Sequence, residues 1–129
     1  MKFQIIMCLY SCQSRKKATK DIVCYKILNC INGDLYSIYG KHKWEVGTLY
    51  EAERAKPSYY DDEIKFGYFH SYDKEIEINK YSLNSMQRVV RCIIPKGTYY
   101  YHGIHSDGRE GYASKKLKVV HVFENNEDD

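Results

Sequence analysis

The sequence predicts an α+β fold: a mainly antiparallel, strongly twisted β-sheet of hairpins and a meander, carrying one short helix. Apolar residues alternate at Val90, Cys92 and Ile94, and again at Leu117, Val119, His121 and Phe123, which is the period of half-buried strands. Between those runs, Pro95-Lys96-Gly97-Thr98 and Ser106-Asp107-Gly108-Arg109 supply reversals, because glycine accepts the positive φ that tight turns require. A helical stripe, by contrast, is confined to Tyr72, Ile76 and Leu83.

In chain order, residues 3–10 read as a strand and SCQSRKKATK (11–20) as a polar, basic connection, so 1–20 form an N-terminal segment ahead of one α+β domain over 21–123. Residues 22–28 and 35–39 form a hairpin across Asn32-Gly33, the dipeptide best suited to a type I′ turn. Residues 44–51, interrupted by Gly47, read as a short strand or strand pair, with Trp44, the lone tryptophan, in or beside the core. Polar residues 51–62, with Pro57 and Asp61-Asp62, form a surface loop. A strand over 64–70 follows, and Ser71 is placed to cap the short helix at about 73–83, with acids at its start and Lys80 near its end. Residues 88–123 carry the meander, and 124–129 form an acidic, frayed tail.

A chain of 129 residues is the common size for one domain. Its +3 charge, from 20 Lys and Arg against 17 Asp and Glu, is mild and interspersed, so no polyanionic partner is demanded. Five cysteines, at 8, 12, 24, 30 and 92, are odd in number and show no Cys-x-x-Cys pair; free thiols and a cytoplasmic setting follow. The alternative is a lipoprotein cleaved before Cys12, since Leu9-Tyr10-Ser11-Cys12 loosely fits such a box. No run is long enough for a membrane span.

Several residues have the chemistry of a site, each beside a structural alternative. His102-x-x-His105 with Asp107 has metal-ligand types, although alternation turns the two imidazoles to opposite faces and a solvated hairpin rim is the favoured reading. His70 is a candidate general base for a cysteine nucleophile, against the favoured reading of a hydrogen-bonded strand histidine. Neither a G-x-G-x-x-G nor a G-x-x-x-x-G-K-[ST] loop occurs, and no cofactor is expected. Lys115, Lys116 and Lys118, with Arg15, Lys16, Lys17 and Lys20, could hold phosphates while aromatic rings stack on bases, but lysines also protect sheet edges, the favoured reading. Tyr99, Tyr100, Tyr101 and Tyr112 sit on one hairpin, where alternation sends some rings outward; large amphipathic rings at low entropic cost suit a protein contact.

Fourteen tyrosines, two prolines and many Ile, Lys and Asn suggest an AT-rich coding sequence. The string VRCIIPKGTYYYHG followed by GYASKKLKVV, with CYKIL, WEVGTLY and GYFHSY upstream, resembles small proteins encoded by bacteriophages and Bacteroidetes over about 24–122. That resemblance implies a phage or mobile-element origin and carries no activity with it; a protein partner or self-association is expected from the Tyr-rich surface, in a bacterial cytoplasm and without a membrane. FGYFHSYDKE (66–75) also resembles the glycine-aromatic strand and helix of ADP-ribosyltransferase-like domains, which implies an enzyme. The chain departs from that pattern in lacking a donor-binding His or Arg in the first strand and a late catalytic Glu. The expected function is therefore non-enzymatic protein binding, with the transferase and a nucleic-acid-binding module as alternatives.

Overall fold

A computed structural model describes residues 9–10, 14–38, 42–52, 68–74, 85–105 and 108–124. Among them, antiparallel pairing joins β1 (Leu9–Tyr10), β2 (Lys16–Lys17), β3 (Ile22–Ile31), β4 (Asp34–Ser37), β5 (Lys43–Trp44), β6 (Leu49–Glu51), β7 (Phe69–Tyr72), β8 (Gln87–Ile94), β9 (Tyr99–His105), β10 (Glu110–Ser114) and β11 (Lys116–Val122). They make one open sheet in the order β1-β9-β10-β7-β3-β8-β11-β6; β2 also pairs with β9, and β4 extends from β3 to β5. The described residues contain no helix. Asp73 and Lys74 are non-helical and the rest of the expected helix lies outside the described residues, while Ser71, expected as its cap, is a buried residue within β7. No described helix is long and apolar enough to cross a membrane.

The expected β3–β4 hairpin forms. Asn32 (φ 53°) and Gly33 (φ 84°) both take the positive φ of a type I′ turn. Trp44 is buried, as expected, and its indole N–H donates to Ser37 Oγ at 3.0 Å. The segment around it is a strand pair in sequence only. Gly47 (φ 90°) turns the chain so that β5 joins β4 while β6 joins β11.

The meander is corrected. β9 and β10 do pair as a hairpin, but β8 pairs with β3 and β11, not with β9, and β10 pairs with β7 and β9, not with β11. In the sheet order β10 and β11 are separated by β7, β3 and β8, which in a flat sheet is about 19 Å at strand spacings of about 4.8 Å. Only Lys115 joins them, and three residues reach about 10 Å at most. The sheet must therefore coil over itself, with 114–116 as a corner where one path passes between its two halves. Backbone bonds fix that corner: Lys115 N–H donates to Tyr99 O at 2.9 Å, and Ala52 N–H donates to Lys115 O at 2.8 Å.

The coiled sheet encloses Cys24, Leu28, Val90, Cys92, Ile94, Leu117 and Val119, all without solvent exposure, together with Trp44 and Phe69. Each fully buried large apolar side chain contributes about 1.5–3 kcal/mol. The alternation expected for 117–123 holds at Leu117 and Val119 and then fails. A bulge between Val119 and His121 adds a residue, so His121 is exposed and Phe123 packs near Val89 and Tyr72 instead. Cys24, Cys30 and Cys92 are free thiols; Cys24 and Cys92 lie directly opposite, and burial and the Cys24 neighbour push the Cys92 thiol well up.

Candidate functional site

Residues directly opposite in antiparallel strands share a face. The pairings Tyr112↔His102 and Tyr112↔Ser71 therefore put Tyr100, His102 and Ile104 of β9, Glu110 and Tyr112 of β10, and Ser71 of β7 on one side, and alternation adds Asp73. The other side carries Tyr101, Gly103, His105, Gly111, Ala113, His70 and Tyr72. The first face is buried at Ser71 and opens toward the hairpin end, where Ile104 is 39% exposed and Tyr100, His102 and Tyr112 are half-buried.

Rings on the open face touch: Tyr100 and Tyr112 meet edge to face at 5.7 Å, and His102 lies 5.1 Å from Tyr112. His102 Nε2 faces two carboxylates, Asp73 Oδ2 at 3.4 Å and Glu110 Oε1 at 3.5 Å. Asp73 is held there because its N–H donates to the Glu110 carbonyl at 3.2 Å, continuing the β7–β10 ladder one residue past the strand. Burial, then Asp73, Cys24, Tyr100 and Glu110, push the Tyr112 phenol up to about 12, so it stays a hydrogen-bond donor at neutral pH.

The four tyrosines do not form one surface. Tyr101 points to the opposite side, packed on the core and 6.0 Å from Tyr68. Tyr99, 42% exposed, stands under Arg15 at 4.4 Å and Lys17 at 5.8 Å. Arg15 also bonds the Tyr68 phenol, offsetting part of the rise that burial imposes on it.

As alternation implies, His102 and His105 face opposite sides, but the expected solvated rim is corrected at His105, which is buried. His105 is buried beneath the sheet and is no partner for His102, and Asp107 lies outside the described residues. His105 Nε2 carries its proton toward Ser71 O at 2.6 Å, because a carbonyl can only accept. To reach it the imidazole crosses β10 above Gly111, where a Cβ would lie 2.3 Å from His105 Nε2 and 2.1 Å from Ser71 O. His70 is buried 5.6 Å from the His105 ring, and its Nδ1 has no hydrogen-bond partner among the described residues. Burial, then the charges of His105 and Lys26, hold His70 well below the ordinary histidine range. Lys26 Nζ also donates to the His70 carbonyl at 2.6 Å. A half-buried imidazole, His42, was not legible in the sequence; it packs against Trp44 and Tyr50, and burial lowers it too.

Lys115, Lys116 and Lys118 make no single stripe. Lys115 Nζ turns inward to the Ala52 carbonyl and lies 4.0 Å from Glu51, while Lys116 and Lys118 sit in the β11–β6 ladder.

Sequence reasoning found His102 but missed Asp73 and Glu110. The hairpin register would have put Glu110 on the face of His102, but nothing local announces that β7 lies beside β10. Comparison of the chain with protein-family models, curated proteins and solved structures finds no match.

Proposed function

We propose that the protein is a non-enzymatic binding protein, an accessory or structural component of a phage or mobile element, that holds another protein on the open β9–β10 face. The observation that supports this reading is that Tyr100, Tyr112 and Ile104 share one partly exposed face of an antiparallel ladder, with the Tyr100 and Tyr112 rings in contact. Tyrosine on a fixed strand loses little entropy on binding and contributes a large contact area. The enzyme reading gains nothing from His70, whose imidazole is buried, poorly basic and faced by another imidazole. Nucleic-acid binding is weakened by the inward turn of Lys115 and by Arg15, which is tied to Tyr68 and Tyr99.

The test uses Tyr100→Ser with Ile104→Ser, leaving Tyr112 in place because it also packs on the core. Sedimentation equilibrium reads self-association, and quantitative capture from host extract reads a different partner. The double variant should weaken one of these at least about tenfold, as loss of a central aromatic anchor does, with little change in melting temperature. Unchanged association and capture in a folded double variant would overturn the reading.

A further inference from the structure

We propose that Asp73, His102 and Glu110 bind a divalent cation of the zinc type on this face. The three ligand atoms converge from three parts of the chain: Asp73 just beyond β7, His102 on β9 and Glu110 at the start of β10, all within 4.8 Å of one another. Donor atoms about 2.0–2.1 Å from a tetrahedral zinc stand about 3.3 Å apart. His102 Nε2 lies 3.4 Å from Asp73 Oδ2 and 3.5 Å from Glu110 Oε1, close to that edge length.

Hydrogen bonding alone accounts for this less well. One imidazole nitrogen carries at most one proton, which points along one direction, yet two carboxylates approach it, both beyond the usual 2.7–3.2 Å of an N–H···O bond. Among the described residues, the lysine paired with Asp73 is Lys74, at 4.0 Å and 83% exposed, too far into solvent to offset two neighbouring acids. A cation at the common point neutralises both carboxylates and takes the Nε2 lone pair. One imidazole with two carboxylates suits zinc and its first-row neighbours, whereas magnesium and calcium favour shells of oxygen. The exposure of Glu110 leaves the outer side of the site open, so a water or a partner's side chain can complete the tetrahedron.

This inference goes beyond the protein-binding reading and does not depend on Tyr100 or Ile104. Calorimetric titration of the tag-free full chain with zinc, beside calcium and magnesium, tests it. Wild type should take up zinc, with a rise in melting temperature, and His102→Gln and Asp73→Asn should each weaken one equivalent at least about tenfold. Melting curves in metal-free buffer establish that the variants fold; if Asp73→Asn does not, Glu110→Gln, at a more exposed position, carries the same comparison. Zinc uptake that is absent in wild type, or unchanged in the folded variants, would overturn the assignment and leave His102 as an ion-pair partner of two acids. Tyr100→Ser with Ile104→Ser should keep the zinc equivalent, so the two readings fail separately.

Discussion

Gly111→Ala is expected to destabilise the protein by about 3–5 kcal/mol, a large share of the stability of an ordinary domain. The reason is space, since Gly111 is not among the positive-φ glycines. A methyl group there meets the Ser71 carbonyl at 2.1 Å and the His105 ring at 2.3 Å, well inside contact distance. Overpacking of this kind costs about 1–3 kcal/mol, and pushing His105 off Ser71 forfeits a buried hydrogen bond at about 1–3 kcal/mol more. Urea denaturation measures the loss. Adding His105→Ala should recover part of it, because the smaller side chain vacates the space, and the double variant should be more stable than the sum of the single effects predicts. Strict additivity would show that the imidazole does not lie over Gly111.

Stability is also expected to fall as the pH drops below about 6.5, at a slope approaching 1.4 kcal/mol per pH unit for one histidine. His70 has a folded-state pKa held well below its unfolded value, first by burial and then by the charges of His105 and Lys26. Above pH 6.5 the imidazole is neutral in both states and contributes no slope. Below it the unfolded chain takes up a proton that the folded chain refuses, so the folded state loses ground until the pH reaches the depressed folded value. His42 adds to the same trend more weakly, being less buried. Unfolding free energies of wild type and His70→Phe between pH 8 and 5 decide the matter. The variant should show a clearly shallower slope, and equal slopes would mean that His70 is not buried in its neutral form.

What was legible in the sequence is what local pattern determines. Asn32-Gly33 encodes its own turn, and strict alternation marks Val90, Cys92 and Ile94 as one buried row because a single pleat fixes all three. Alternation could not foresee the bulge after Val119, which reverses the facing of every later residue and exposes His121. The meander was the natural reading of consecutive strands joined by short connections. It failed because Lys115 is a corner and not a hairpin turn, and one residue can make a corner as readily as it can continue a strand. At the site, His102 and Tyr112 were visible as residue types on a hairpin. Asp73 was not, because the β7–β10 pairs lie 39 to 45 positions apart along the chain and leave no local mark.

Everything at the site depends on β10 lying between β7 and β9. Cross-strand nuclear Overhauser contacts measure this directly in the isotope-labelled chain. Backbone protons of Gly111 should reach Tyr72 on one side and Gly103 on the other, and those of Tyr112 should reach both Ser71 and His102. Contacts running instead from β10 to β11, with none to β7, would restore the simple meander, remove Asp73 from His102 and contradict the cation site.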